Sequence, residues 1–535
     1  MPNLLKNPSG EPYFQAGSGT ASYSEDLGPW ILFATILGTS MAFIDSTAIN
    51  VALPVIQRDL HATLAGVQWM VEAYALFIAS LILVGGTLGD YFGRRRIFAI
   101  GIIVFTISSI WCGFAPNTAQ LIVGRAMQGV GGALLVPGSL SIINSSFSDG
   151  KRGRAIGTWS AFTAITAGLG PVLGGWLVEN FSWRWVFFIN VPIACVVLVV
   201  LFSRVPESRN DDEGLRLDWL GAVLTTIGLG GVVYGLIESS SMGFGNPFVI
   251  AALVVGTVCL MLFVIVERYN KSPMMTLHLF RSRTFSAANV ITFLMYAAMG
   301  GALFFVPFNL IQVQGYTATG AGAVWIPFVL LIFLLSRWAG GLASKHGGKI
   351  PLVVGGTIIA LGYVLFALPG IGGSYWLTYF PAIFVLGLGA GFSVAPLSTV
   401  VMEAVDVRQS GLASGINNAV SRISGLLSIA VLGIFALQSF NKGLDERIVD
   451  ISLTPYAIEY LDSERIKLAA AEIPPGLSAQ SSLALKRAIA ESFVDAFRVI
   501  MFISTGLAMA AVLTALIFID GGSREQKIIT DNPYS

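Results

Sequence analysis

Two side chains of opposite charge stand where charge is expensive. Asp45, in MAFIDSTAIN (41–50), is the only ionisable residue between Trp30 and Val55. Arg125 interrupts the apolar stretch LIVGRAMQGVGGALL (121–135), close to its expected outer end. A lone charge in hydrocarbon costs several kcal/mol, so each of these needs a partner or a wet cavity. At similar expected depths, they are natural partners for each other. Burial favours the neutral acid, and a nearby arginine favours the carboxylate. A site that trades these two effects as a protein opens to either side loads and releases protons. The plainer alternative is a structural ion pair locking two helices.

Other charges in apolar stretches admit more than one role. Glu72, near an expected outer end, suits cation binding or proton sharing, or snorkelling to the interface. Arg422, in NNAVSRISG, suits either a transport pathway or helix packing. Arg337 sits where it reaches headgroups. Asp495 and Arg498 are one turn apart and are expected to pair locally. Glu238, Glu267 and Glu403 lie near span ends, where a structural role is favoured. The histidines, His61, His278 and His346, read as loop residues, so a proton route has to use carboxylates.

These residues must be held by membrane helices. The chain has 535 residues, 55% hydrophobic and only 11% charged, against roughly 25% charged in soluble domains. The deficit runs along nearly the whole length, which marks a polytopic membrane protein. Spans of ~20 apolar residues are expected near 29–53, 68–88, 97–115, 120–143, 155–178, 185–203, 219–238, 247–266, 285–310, 319–340, 351–369, 376–401, 411–437 and 492–519. Runs of this length cross a bilayer as helices, so the expected fold is all-α with 14 transmembrane helices. The polar start of the chain has no apolar core or cleavage site of a signal peptide and reads as a cytoplasmic tail. A net charge of +1 argues against a nucleic-acid partner. Cys112, Cys195 and Cys259 lie in apolar stretches with no metal spacing and no disulfide pattern.

Lysines and arginines concentrate in alternate loops: Arg94, Arg95 and Arg96; Lys151, Arg152 and Arg154; Arg204, Arg209 and Arg216; Arg268, Lys271, Arg281 and Arg283; Lys345 and Lys349; Arg408. The opposite short loops hold little beyond Arg58 and Arg184. The positive-inside rule then puts both termini in the cytoplasm. One outer loop, 438–491, is long, polar and broken by Pro474, Pro475 and Gly476. It is expected to hold one or two short helices and to serve as lid, partner dock or tether.

The second part of the chain echoes the first. Gly86, Leu88 and Gly93 of GGTLGDYFGRRR match Gly340, Leu342 and Gly347 of AGGLASKHGGK. Gly153, Ala155 and Gly157 match Gly411, Ala413 and Gly415 at nearly the same offset. A parallel duplication of six spans around a midplane cavity is one transporter plan. It divides the chain into an N-terminal tail (1–28), a six-helix half (29–203), a linker with two inserted helices (204–284), a second six-helix half (285–519) and a C-terminal tail (520–535). In the first loop, Gly86 and Gly93 allow a tight turn with helices close together. Asp90 either caps the next helix or pairs with Arg94, and Arg95 follows in the same basic run.

The spacing G-x-L-x-D-x-x-G-R-R of that loop resembles the signature of the major facilitator superfamily. FIDSTAINVALP (43–54), LIVGRAMQGVGGALLVPG (121–138, with Arg125, Gln128 and Gly129 in place) and WRWVFFINVPI (183–193) resemble motifs of its 14-span drug:proton antiporter-2 family. GLGPVLGG (168–175) resembles the superfamily's antiporter motif, although Thr166 stands where that pattern has a glycine. There Gly170 and Gly174 make a G-x-x-x-G face, Gly175 follows, and Pro171 bends a helix that can gate the halves. The resemblance covers roughly residues 30–520. It implies the major facilitator fold and proton-driven export of amphiphilic or hydrophobic organic compounds across the cell (inner) membrane.

Asp45, Arg125 and Glu72 are then the proton-coupling candidates, with Gln128 and Arg422 along the pathway. The expected partners are a small organic substrate, protons and the bilayer, and a periplasmic adaptor stays open. Alternatives are export of an endogenous lipid, siderophore or metabolite, or a sensor without flux. The chain offers no Ser/His/Asp set, no metal-ligand cluster and no phosphate loop, so neither an enzyme nor a cofactor is expected.

Overall fold

The computed structural model describes residues 27–147, 149–209, 218–270, 275–406 and 409–519. Nearly all of both expected tails, and Arg216, Lys271 and Arg408 of the basic loops, lie outside those residues. Among the described residues, helices are the only regular elements, and fourteen are long and apolar enough to cross a membrane.

The first set is α1 (Gly28–Asp59), α2 (Leu64–Phe92), α3 (Arg94–Phe114), α4 (Thr118–Ser146), α5 (Asp149–Asn180), and a short α6 (Trp185–Phe188) leading into α7 (Asn190–Arg204). A hairpin follows, α8 (Trp219–Met242) and α9 (Pro247–Tyr269). The second set opens with α10 (Arg283–Phe308), α11 (Ala318–Ala323) and α12 (Ile326–His346). It continues through α13 (Lys349–Ala367), α14 (Tyr375–Thr378), α15 (Phe380–Glu403), α16 (Ser410–Ile448), α17 (Pro455–Glu464) and α18 (Ala479–Phe518).

Local chemistry sets the ends. Thr63 Oγ1 accepts from Gly66 N at 3.1 Å and Asn117 Oδ1 from Gln120 N at 3.0 Å, capping α2 and α4. Gly93 and Gly347, the pair aligned by the sequence echo, end α2 and α12 with φ of 108° and 85°. That left-handed region is cheap only for glycine. The two sets also carry internal prolines on corresponding helices: Pro54 and Pro307 in α1 and α10, Pro137 and Pro396 in α4 and α15.

Several expectations need correction. The 438–491 segment is not a loop throughout: α16 runs on to Ile448 and α18 begins at Ala479. Only 449–478 connects them, and it holds α17 and a 3-10 turn at 465–470. His346 is the last residue of α12 rather than a loop residue. Gly86 is not what brings α2 close to its neighbour, since a Cβ there would have ordinary room beside Pro137 at 3.6 Å. Gly85 does this, because a Cβ would sit 2.9 Å from the Ala133 carbonyl carbon of α4. In lipid, where apolar helices gain little from leaving the solvent, such approaches carry the packing.

In the first set, α4 packs on α2 and α3, and α1 on α5; in the second, α15 packs on α12 and α13, and α10 on α16. The α8–α9 hairpin lies at the side seam, where Leu229, Val233 and Ile237 join Leu76 of α2 and Leu426 of α16. The two sets meet at the end carrying the 449–478 connection, here called the insert end. One apolar core there mixes Ile49, Leu53 and Met70 with Phe305, Leu432 and Phe493. Gln57 Nε2 donates to Lys467 O (3.1 Å), Gln312 Nε2 to Gln57 Oε1 (2.9 Å), and Thr319 N to Glu179 Oε2 (3.1 Å). Towards the opposite, arginine-loop end the first set keeps a core of its own, with Met41, Phe98, Leu135 and Leu201. The two halves are therefore sealed together at the insert end.

Candidate functional site

Asp45 and Arg125 meet, as their isolation in sequence demands. Both are fully buried, and Arg125 Nη1 donates to Asp45 Oδ2. Asp45 Oδ1 accepts from Gln128 Nε2 at 3.0 Å and Asn190 Nδ2 at 3.4 Å. Gln128 Oε1 accepts from Arg125 Nη1 at 2.9 Å, and Arg125 Nε donates to Met70 O at 3.0 Å. Ser109 Oγ ties the set together, accepting from Gln128 and Asn190 at 3.1 and 2.9 Å. The guanidinium lies over the Tyr74 ring, 4.3 Å from its centroid.

Arg125 and Gln128 are three residues apart, so α4 presents both to α1. Asn190 opens α7 and Ser109 sits on α3. The cluster draws on α1, α2, α3, α4 and α7, all in the first half. A buried pair is favourable only when its other lone pairs and protons are met. Here most are, although Arg125 Nη2 has no described partner. Gln128 was marked in the sequence. Asn190, Ser109 and Tyr74 were not: nothing in a serine, asparagine or tyrosine within an apolar run shows which way it points.

Glu72 is not part of this cluster, although it lies on the same helix as Tyr74. It does not snorkel either: it is 0% exposed, and neither carboxylate oxygen has a described hydrogen-bond partner. Arg422 is likewise separate, on α16 in the second half. Asp495 and Arg498 do pair, at 3.2 Å, but Arg447 also binds Asp495 at 2.6 Å.

The loop between α2 and α3 is a clamp. Arg94 binds Asp90 at 2.8 Å, so Asp90 pairs rather than caps α3. Ser141 of α4 also donates to Asp90, at 3.3 Å. The side chain that finishes the clamp, Glu207, was not singled out in the sequence. It accepts from the backbone N–H groups of Arg95 (2.9 Å) and Arg96 (3.2 Å) at the start of α3. Its carboxylate fills the space a Cβ on Gly93 would need. A carboxylate on a helix N-terminus satisfies orphan donors and the helix dipole. Glu207→Ala is expected to cost about 1 kcal/mol. Thermal melting of purified protein, with Glu207→Gln retaining part of the effect, checks it.

The glycine motif of α5 faces two ways. Gly170 and Gly174 receive Thr47 and Ala48 of α1, with a Cβ on Gly174 only 2.8 Å from Ala48 Cα. Gly175 instead meets α11 of the second half, where a Cβ would be 2.7 Å from the Ala318 carbonyl carbon. Gly322 returns the contact on Pro171, 2.6 Å from its carbonyl carbon by the same measure. The second half also holds a small apolar cavity of about 20 Å³, lined by Met295, Tyr296, Met299, Phe328, Tyr363 and Leu386. Composition alone does not separate such a lining from interfacial aromatics.

Comparison with known proteins agrees with this architecture. The family model described as Major Facilitator Superfamily matches residues 35–429. "Multidrug resistance protein Stp" of Mycobacterium tuberculosis is 36% identical over 408 residues, 75% of this chain and 74% of that protein. The "Tetracenomycin C resistance and export protein" of Streptomyces glaucescens is 30% identical over 496 residues, 91% of each chain. A bacterial homologue of the human lysosomal transporter Spinster, solved inward-facing and unoccupied, shares the fold. Its TM-score is 0.61 at 18% identity, covering 93% of this chain and 99% of that one.

Proposed function

The chain belongs to the major facilitator superfamily, a family of transporters rather than enzymes, and we propose that it exports amphiphilic or hydrophobic organic compounds in exchange for protons. The reading puts the insert end outside the cell and both termini inside, by the loop charges. The structure then corresponds to a state sealed outside. Substrate enters from the cytoplasmic side. Reorientation of the halves opens the outer seam at Gly175 and Gly322.

The observation that carries the proton exchange is the fully buried Asp45–Arg125 pair. Among the described residues of the first half, its carboxylate is the fully buried acid placed against a cation inside the bundle. Protonation of Asp45 and its release are the steps that couple to the halves' movement. The resistance and export names of the relatives support an organic cargo carried outward.

The test uses inside-out vesicles with an acidic lumen, loaded with a pH-sensitive dye. Wild-type protein is expected to alkalinise the lumen when lipophilic cations or neutral aromatic compounds are added outside. A panel that leaves the lumen acidic, with protein folded and inserted, would sink the drug-exchange reading.

A further inference from the structure

Three sides of α16 are covered. On one, Asn417 Nδ2 donates to Thr292 Oγ1 of α10 at 2.6 Å, and Ser428 Oγ donates to Ala297 O of the same helix. α18 lies along a second. On the third, α16 meets α2 and α8: Gln68 Nε2 donates to Ile429 O at 2.6 Å, and Leu426 and Ala430 pack with Leu76. At 100° per residue, Asn418, Arg422 and Gly425 fall between the α10 side and the α2 side. α10 belongs to the second half and α2 to the first, so this face looks into the space between the halves. It is open there: Asn418 is exposed, and a Cβ on Gly425 would meet nothing within 4 Å.

Arg422 is the charge on that face. It is partly exposed, its Nε is buried without a hydrogen-bond partner, and no described side chain pairs with its guanidinium. A cation within a membrane span needs a partner or water. The acids of the neighbouring helices do not supply one. Asp45 is held by Arg125, Gln128 and Asn190, and Glu72 of α2 is 0% exposed and so does not reach the open face. Glu238 of α8 accepts from Trp69 Nε1 at 3.0 Å. The Asn418 amide, one turn from Arg422, makes no described side-chain hydrogen bond either.

A guanidinium presents a planar fork of donors that matches an oxyanion with two oxygens, and such charge-assisted pairs are the strong ones. We propose that this face of α16 is an anion-accepting corner of the cargo site, and that the cargo class includes amphiphiles carrying a carboxylate, sulfonate or phosphate group. The oxyanion bonds the Arg422 fork, and Asn418 adds a neutral donor beside it.

This inference rests on the exporter reading for its cargo, and its test is a binding measurement that needs no proton movement. Full-length protein in lipid nanodiscs is titrated with two fluorescent probes of one aromatic frame. Anilinonaphthalene sulfonate carries an oxyanion, and phenylnaphthylamine lacks it; empty nanodiscs are the blank. Arg422→Gln is expected to weaken sulfonate binding about ten- to a hundredfold, the scale of a hydrogen-bonded charge, and to leave the neutral probe unchanged. Arg422→Lys, which keeps the charge and loses the fork, is expected to lie between. Asn418→Asp, made at an exposed position, sets an acid one turn from Arg422 and is expected to weaken the sulfonate alone. Parent protein that binds no sulfonate above the blank overturns the proposal. So does Arg422→Gln that binds it as the parent does, or that loses both probes alike, which is the mark of a packing role. If Arg422→Gln does not fold, Asn418→Asp decides, and an unchanged sulfonate affinity there overturns the proposal. Sulfonate binding set by Arg422 in protein that exchanges no protons keeps this inference and sinks the exchange reading. Proton exchange by protein whose probe binding ignores Arg422 does the reverse.

Discussion

Asp45→Asn is expected to reduce uphill export and substrate-driven proton movement to background while leaving the protein folded. Asparagine keeps the shape, and its amide oxygen still accepts from Arg125 or Gln128. What it cannot do is gain and lose a proton. A carrier that still reorients but cannot exchange protons is expected to equilibrate substrate downhill without concentrating it. Arg125→Ala should behave differently, since it strands a fully buried carboxylate. Removing one partner of a buried pair costs about 3–5 kcal/mol, so this variant is expected to lose thermal stability as well as transport. Parallel vesicle flux and melting curves separate the cases. Asp45→Asn that still concentrates substrate would move the proton site elsewhere, with Glu72 the next buried carboxylate, and would make the Asp45–Arg125 pair a lock between α1 and α4.

Gly175→Val is expected to hold the insert end open. A Cβ at 175 would run into the Ala318 backbone of α11, and backbone cannot swing aside as a side chain can. Overpacking of this kind costs about 1–3 kcal/mol, a shift of roughly five- to 150-fold in a two-state equilibrium. Here that cost falls on one state only, because the clash exists only while α5 and α11 touch. The readout is a cysteine at Gln57, which is 2% exposed in the sealed seam. Its labelling by a membrane-impermeant maleimide from the insert side should accelerate by a similar factor in Gly175→Val, while transport falls. Gly174→Val is the matched control. It meets Ala48 within the first half, so it should lower stability without raising labelling at Gln57. Equal labelling in Gly175→Val and parent would mean that α5 and α11 are not a gate.

Much of this molecule was legible in its sequence for reasons tied to the bilayer. A span must be long and apolar and must bond its own backbone, so fourteen helices could be counted from runs of residues. A charge in such a run is conspicuous, and two opposite charges at similar depth point to each other, as Asp45 and Arg125 do. Glycine at a helix end that needs positive φ is equally visible, and Gly93 and Gly347 occupy such ends.

What only the tertiary structure decided concerns direction and partnership. Glu72 and Asp45 are both carboxylates in oily helices, yet one is sealed without a described partner and the other is held by three. The difference lies in which face of each helix meets which neighbour, and span hydropathy is blind to that. Gly85 rather than Gly86 makes the close approach, because a one-residue step turns a helix by 100°. Glu207 lies far from Arg95 and Arg96 along the chain and reaches them only because α7 returns to the start of α3. The 438–491 segment hid its helix extensions for the opposite reason. The ends of α16 and α18 are polar, so a search for apolar runs stopped where the helices did not.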